Sequence, residues 1–236
     1  MTPVGNPQNL YLYSASQMAL GDFILLMLPY TLTAALLLAV CIFFSYKPIE
    51  VNVCKFGEEN VLDLKKTAYY LVLFLLCLLC VVDVLSVELL FVITLIAVVI
   101  ENRSLLKEVD YSLLATFVCF FVFTGNIGRI EAFNNWIMGI LNGHVIPVSV
   151  GLSQVISNVP AALLLSGFTD SYHKLIIGTN LGGLGTLIAS MASLISYKQL
   201  AVQFSASKKY YLILFTVWNI IFLIVLSGLT FLLDSI

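Results

Sequence analysis

The sequence predicts an all-α integral membrane protein, a polytopic helical bundle with a re-entrant hairpin and a broken transmembrane helix. Hydrophobic residues make up 61% of its 236 residues and charged residues only 10%, whereas a soluble domain has about 25% charged residues. Two clusters of polar residues and glycines interrupt the apolar sequence between 153 and 186. Irregular backbone within a bilayer occurs only around a cavity or a ligand, because unpaired backbone groups are costly in hydrocarbon. The pattern therefore predicts a binding site inside a membrane.

Five apolar stretches are candidate membrane-spanning helices, because roughly 20 apolar residues cross a bilayer as a helix. They are 22–44, 67–82, 84–100, 111–128 and 210–233. The second and third stretches are short, and the turn between them carries Asp83 and Glu88. We therefore expect these two stretches to form a helical hairpin.

The two interruptions predict different structures. The region 131–171 has two moderately apolar halves separated by the sequence SNVP at 157–160. Each half is too short and too polar to span a bilayer, so we expect a re-entrant hairpin that returns to the side it entered from. The region 173–197 is predicted to be one crossing broken at 178–186, since each glycine costs about 1 kcal/mol in a helix relative to alanine. A helix is expected to resume over 187–197.

The positions of Lys and Arg predict the orientation, because cytoplasmic loops are rich in these residues. Of the 11 Lys and Arg residues, all but Arg129 and Lys174 lie in the loops 45–66, 101–110 and 198–209. These three loops share one side of the membrane only if 131–171 is re-entrant. We place them in the cytoplasm and the protein in the plasma membrane.

The predicted hairpin tip offers groups for either an anion or a cation. The Asn158 amide can donate to a carboxylate or accept a cation at its oxygen, and Ser157 adds a hydroxyl. Pro160 can begin the returning helix, where its missing N–H costs nothing, and the amides at a helix N-terminus bind anions. Taken alone, the tip is also explained as a polar cap that closes the hairpin without a ligand.

The glycine-rich break supports ligand binding. Broken helices in transporters direct helix N-termini at anionic substrates and offer free carbonyls to Na⁺. The residues that would admit a ligand or offer side-chain oxygens are Gly182, Gly183, Gly185, Thr179, Asn180, Thr186 and Ser190. The alternative is a small-residue packing face, since Gly178 and Gly182 form a GxxxG motif. With a second interruption just upstream, we favour ligand binding.

The sequence does not indicate an enzyme or a nucleic-acid-binding protein. It lacks HExxH and GxSxG motifs and paired intramembrane carboxylates, which argues against a protease or hydrolase. It also has no basic patch with interleaved aromatic residues. Beyond Na⁺ as a coupling ion, we expect no cofactor. The expected partners are the lipid bilayer and a small anionic substrate.

The two interruptions resemble motifs of the ion transporter superfamily, which includes citrate and dicarboxylate permeases, arsenite permeases and related Na⁺/H⁺ antiporters. Each half of these proteins has a re-entrant hairpin with an SNT-like tip and a broken helix, and the halves have inverted topology. The tip at 157–159 resembles that of the second half, and 179–186 resembles its broken helix. Residues 2–9 resemble the break of the first half, and 109–130 the helix before the second hairpin.

The resemblance implies a secondary active transporter of a small anion, such as citrate or another carboxylate, coupled to Na⁺ or H⁺. The implied substrate site comprises Ser157, Asn158, Val159, Pro160, Thr179, Asn180, Gly185 and Thr186, with Gly5, Asn6 and Asn9 as the opposing half-site. The implied Na⁺ site comprises Ser157, Asn158, Asn180 and Gly183. Val159 stands where dicarboxylate carriers usually have Thr, which removes one hydroxyl. Arsenite efflux, Na⁺/H⁺ exchange and a non-transporting membrane subunit are the alternatives.

The resemblance also implies a division of the chain into repeats. Residues 1–66 would be a remnant of the first repeat, and 67–236 would be the second repeat. Since the sequence begins within the first-half break, we expect a C-terminal fragment or one piece of a split carrier. Its expected protein partner is a missing N-terminal half or a second copy in a homodimer.

Overall fold

The computed structural model describes residues 2–45, 63–127, 129–203 and 208–234, and within these ranges the regular secondary structure is helical. The described helices are α1 (Pro7–Ser16), α2 (Leu20–Ser45), α3 (Leu64–Val81), α4 (Val87–Glu101), α5 (Leu105–Glu108), α6 (Tyr111–Ile127), α7 (Glu131–Leu141), α8 (Val145–Ile156), α9 (Asn158–Leu165), α10 (Tyr172–Gly182), α11 (Met191–Gln203) and α12 (Lys208–Asp234). Short 3₁₀ turns occur at Pro3–Gly5 and Leu187–Ala189. The chain forms two compact units, one of Met1–Phe44 with Ala115–Ile236 and one of Ser45–Leu114.

Three of the described helices are long and apolar enough to cross a membrane. They occupy Leu20–Phe44, Leu64–Val81 and Lys208–Leu233, at the predicted spans 22–44, 67–82 and 210–233. A fourth candidate is the pair Leu114–Ile127 and Glu131–Leu141, whose axes are bent by 100°. The protein is therefore an all-α polytopic membrane bundle, as the composition predicts.

The predicted helical hairpin of the smaller unit is observed with shorter arms. Helices α3 and α4 contact each other, and the turn between them places Asp83 at a φ of 58°. Helix α4 begins only at Val87, because Ser86 caps it by accepting a hydrogen bond from the Leu89 amide. The predicted span 84–100 is thus a helix of 15 residues. Most of the predicted loop 45–66, with Lys47 and Lys55, lies outside the described residues.

The hairpin predicted over 131–171 is confined to α8 and α9. Its predicted first half is divided, because the chain turns at Asn142, Gly143 and His144 between α7 and α8. Gly143 has a φ of +75°, a conformation that glycine adopts without steric cost. Helix α8 has 12 residues and α9 has 8, which correspond to about 18 Å and 12 Å at 1.5 Å per residue. Neither helix is long enough to cross the roughly 30 Å hydrocarbon core of a bilayer.

The break in the region 173–197 lies later than the sequence predicts. Gly178, Thr179 and Asn180 belong to α10, which ends at Gly182. The non-helical segment runs from 183 to 190 and includes the short 3₁₀ turn. Helix α11 then begins at Met191 and continues to Gln203, whereas the sequence predicts a helix over 187–197. Glycine at 182, 183 and 185 makes continued helix unfavourable from that point onward, while a glycine at 178 is tolerated within α10.

Helix α10 lies at the centre of the larger unit. It packs against α8, α9, α1 and α12, and its residues from Leu175 to Gly182 are buried apart from Asn180. Ile177 and Leu181 join Tyr30 of α2 and Leu226 of α12 in one hydrophobic cluster. This packing holds the end of α10 and the following break beside the α8–α9 tip.

Candidate functional site

The hairpin turns within a single residue, Ser157, which joins α8 to α9. Its backbone has a φ of 75° and a ψ of 155°, a region that residues other than glycine rarely occupy and that costs of order 1–3 kcal/mol. The Ser157 hydroxyl donates to the carbonyl of Ala189 at 3.4 Å, so it contacts the far end of the break. The tip and the break are thus parts of one structure.

Asn158 is the first residue of α9 and faces the break. It is 5% exposed, and a Cβ atom added to Gly183 would lie 2.8 Å from Asn158 Nδ2, so the amide rests against the bare glycine backbone. Within the described residues, no hydrogen bond engages this side-chain amide, and its atoms are not among the fully enclosed polar atoms that lack a partner. The amide of this largely buried residue therefore keeps some access to solvent. An accessible amide without a protein partner is a candidate ligand-binding group.

The crossing of α8 and α10 is a close small-residue contact. Cβ atoms added to Gly178 and Gly182 would each lie 2.7 Å from the Cβ atom of the facing serine, Ser149 or Ser153. Both serine hydroxyls donate to carbonyls of their own helix, at 2.7 Å. The packing interpretation of the GxxxG motif is therefore correct for Gly178 and Gly182. The expectation that Gly182 would admit a ligand is wrong, since Ser153 occupies the space beside it.

Gln154, which was not predicted as a site residue, holds the break together. Its Nε2 atom donates to the carbonyls of Gly182 and Leu184, both at 2.9 Å. Its Oε1 atom accepts from the Thr186 amide at 2.9 Å. The Thr186 hydroxyl in turn donates to the Gln154 carbonyl at 3.3 Å. Gly185 lies within this loop with a φ of +105°, and any side chain there would collide with the Gln154 amide.

Asn9 and Asn180 form a reciprocal pair of amide hydrogen bonds. Asn9 Nδ2 donates to Asn180 Oδ1 at 3.1 Å, and Asn180 Nδ2 donates to Asn9 Oδ1 at 2.6 Å. Asn180 Nδ2 also donates to the Ile176 carbonyl. A second link joins the Tyr11 hydroxyl to Ser166 at 2.8 Å. These contacts place α1, and with it the N-terminal segment 2–9, against α9 and α10.

The other predicted site residues differ in their burial and in whether their polar groups are free to bind a ligand. Asn6 precedes α1, and its buried Oδ1 has no hydrogen-bond partner within the described residues. Thr179 is fully buried and donates to the Leu175 carbonyl of its own helix. Gly5 is exposed, Val159 is buried, and Pro160 is half-buried in the first turn of α9. The structure thus brings the tip, the break and Asn9 together, while the Thr179 hydroxyl is engaged elsewhere.

The described cavity lies at the opposite end of the hairpin from its tip. It has a volume of about 490 Å³ and is lined by Met138, Gly139, Leu141, Asn142, Gly143, Val145, Phe168, Thr169 and Ser171. These residues belong to the α7–α8 turn and to the segment after α9, where the hairpin begins and ends. The lining includes none of the predicted site residues, so this cavity is separate from the tip and the break.

Comparison with known proteins agrees with the motifs. The family model for citrate transporters matches residues 1–174, which include the N-terminal segment and the hairpin tip. An uncharacterized transporter of Methanocaldococcus jannaschii is 34% identical over 203 residues, covering 84% of this chain and 53% of that protein. The inner membrane protein YbiR of Escherichia coli is 29% identical over 211 residues, covering 84% of this chain and 54% of that protein.

The chain spans about half the length of these two curated relatives. No solved structure matches it. The family match nevertheless covers well over half of the chain and includes most of the residues from which the resemblance was drawn. The resemblance to the transporter superfamily is therefore confirmed, and the chain belongs to the citrate transporter family.

Proposed function

We propose that this chain supplies one half of the substrate site of a secondary active membrane transporter for a small carboxylate such as citrate, driven by Na⁺ or H⁺. The observation that carries the proposal is Asn158, a residue that is 5% exposed and whose side-chain amide has no hydrogen-bond partner among the described residues. Membership of the citrate transporter family supports a carboxylate as the substrate.

The surroundings of Asn158 suit a carboxylate. The N–H groups of Asn158 and Val159 lie in the first turn of α9, where the helix supplies no acceptor for them. An anion at this position would gain from these amides and from the helix dipole. The Asn158 Nδ2 atom would add a third donor beside them. Gly183, which has no side chain, lets the Asn158 amide pack directly against the backbone of the break.

A coupling cation would use oxygen atoms of the same region. The Asn6 Oδ1 atom is a buried acceptor without a donor in the described part of the chain. The Asn158 Oδ1 atom is another unengaged acceptor beside the tip. Carbonyl and amide oxygens are suitable ligands for Na⁺ at broken helices. We therefore assign any Na⁺ coupling to the tip and the N-terminal segment.

The test is uptake of radiolabelled citrate, succinate and arsenite by the complete transporter to which this chain contributes half of the site, reconstituted into liposomes with imposed Na⁺ or H⁺ gradients. Citrate or succinate uptake is expected, and Asn158→Ala is expected to lower it at least about tenfold. The loss of a hydrogen bond to a charged group costs about 1.5–3 kcal/mol, and each 1.4 kcal/mol is a factor of ten.

The control variant is Asn135→Ala, which removes the same side chain from an exposed position on α7. It should retain wild-type uptake, and both variants should elute as folded protein on gel filtration. Wild-type uptake by a folded Asn158→Ala variant would refute the site assignment. Transport of arsenite without carboxylates would refute the substrate class.

A further inference from the structure

The Gln154 side chain forms hydrogen bonds with backbone carbonyl oxygens at the end of α10 and just after it. Its single amide contacts three backbone groups on the other side of the site, the Gly182 carbonyl, the Leu184 carbonyl and the Thr186 N–H. A further contact to the Val150 carbonyl, at 3.2 Å, is within its own helix. The contacts of Gln154 across the site span five residues, from Gly182 at the end of α10 to Thr186 in the break.

The orientation of the amide is fixed by these partners. Two carbonyl oxygens face one end of the amide and an N–H faces the other. Exchange of Oε1 and Nε2 would point an oxygen at two carbonyls and an NH₂ group at an N–H, so only one assignment satisfies the network. The positive end of the amide dipole therefore lies between the two carbonyl oxygens.

A donor or a cation is required at this position. The last carbonyls of a helix have no intrahelical partner, and the helix dipole makes this end partially negative. Gly183 and Leu184 bond back to Asn180 and Leu181, which leaves the carbonyls of Gly182 and Leu184 to be satisfied from outside α10. In broken transporter helices, unwound carbonyls at such ends coordinate Na⁺.

We propose that Gln154 takes the place of a coupling cation at the break between α10 and α11. Its NH₂ group satisfies the two carbonyls that would otherwise bind an ion, and its oxygen fixes the Thr186 amide. The break therefore keeps its shape without Na⁺, and Gln154 acts as a positioning residue for the substrate side of the site. This inference rests on the proposed transport function and removes the break from the positions available to a coupling ion.

The test compares melting temperatures of the purified protein in NaCl and in choline chloride at equal concentration. Gln154→Glu replaces the two donors by a negative oxygen beside the Gly182 and Leu184 carbonyls, which creates a cation site. We expect the Tm of this variant to rise on replacing choline by Na⁺, by about 3 °C more than the wild-type Tm. The matched control, Gln199→Glu, adds the same charge at an exposed position of α11 and should respond to Na⁺ as the wild type does.

Two further variants test whether the position of the Gln154 amide requires a hydrogen-bond donor and whether a positive charge can replace that amide. Gln154→Met keeps the length of the side chain without donors, and its Tm is expected to fall below that of the wild type in both salts. Gln154→Lys supplies an ammonium group and is expected to be more stable than Gln154→Met in choline. If Gln154→Glu does not fold, the comparison of Gln154→Met with Gln154→Lys tests the proposal instead.

The proposal is overturned if folded Gln154→Glu responds to Na⁺ no more than Gln199→Glu does. It is equally overturned if Gln154→Lys is no more stable than Gln154→Met. These measurements contain no substrate and no ion gradient. A failure of the uptake experiment with Asn158→Ala would therefore leave their outcome unaffected, and the two proposals can fail separately.

Discussion

At the scale of the residue, Ser157 combines a strained backbone with a hydroxyl that contacts the break. Its φ of 75° suits glycine, and its hydroxyl contacts the Ala189 carbonyl. We predict that Ser157→Gly is more stable than Ser157→Ala by roughly 1–2 kcal/mol, because only glycine relieves the strain. Thermal unfolding of the purified variants in detergent measures the difference.

The two Ser157 variants also lack the hydroxyl equally. If the hydroxyl contributes to the site, as proposed, both should lose carboxylate uptake to the same degree despite their different stabilities. Equal stability of the two variants would show that the backbone at 157 is not strained. Retained uptake in Ser157→Gly alone would show that the backbone, and not the hydroxyl, is what transport needs.

Single residues of the site were predictable where their type is unusual for a membrane. Asn158 and Ser157 stand out because they interrupt apolar sequence. Gln154 lies only three residues earlier, but a lone Gln in a helix gives no sign of which distant backbone it holds. The Asn9–Asn180 pair joins residues 171 positions apart, and no local pattern indicates that two asparagines will satisfy each other.

At the scale of the element, the α8–α10 crossing depends on bare glycine backbone. A Cβ atom at Gly178 would meet Ser149 Cβ at 2.7 Å and the Ile146 backbone at 3.1 Å. Because the backbone of α8 cannot move aside, we predict that Gly178→Ala lowers the free energy of unfolding by roughly 1–3 kcal/mol. The melting temperature and the denaturant midpoint in detergent measure this loss.

The matched control for that prediction lies on the partner helix. Gly151 of α8 would meet nothing within 4 Å if it gained a Cβ atom. Gly151→Ala should therefore raise helix stability by about 0.5–1 kcal/mol, since alanine has the higher helix propensity. Equal effects of Gly151→Ala and Gly178→Ala would contradict the close crossing.

Helix boundaries were predicted less well than helix existence. The long spans follow from hydrophobic length, and α2, α3 and α12 occur where they were predicted. The division between α7 and α8 was missed, although the triplet Asn142-Gly143-His144 separates two apolar stretches and Asn-Gly favours a turn. The break after α10 was predicted too early, since glycines at helix crossings and glycines at breaks look alike in sequence. Only the facing Ser149 and Ser153 distinguish the two roles.

At the scale of the whole molecule, the sequence and the structure support re-entrance by independent arguments. The charge distribution places the loops 101–110 and 198–209 on one side only if the chain returns after the hairpin. The structure gives α8 and α9 lengths of 12 and 8 residues and packs them against each other, as the two arms of a hairpin do. The two arguments use different observations, and both predict that the chain returns to the side of the membrane from which the hairpin enters.

The topology predicts which positions of the larger unit share a side of the membrane. Asn142 precedes the hairpin and Asp170 follows it, whereas Gln203 ends α11 beyond the broken helix. All three are exposed.

In a variant without the native cysteines, we expect a cysteine at 142 or at 170 to react with a membrane-impermeant maleimide in intact cells. A cysteine at 203 should react only after permeabilisation, because the predicted topology has the segment from α10 to α11 cross the bilayer and end in the cytoplasm. Opposite reactivity at 142 and 170 would mean that the hairpin crosses the membrane. Reaction at 203 in intact cells, together with 170, would mean that the broken helix does not.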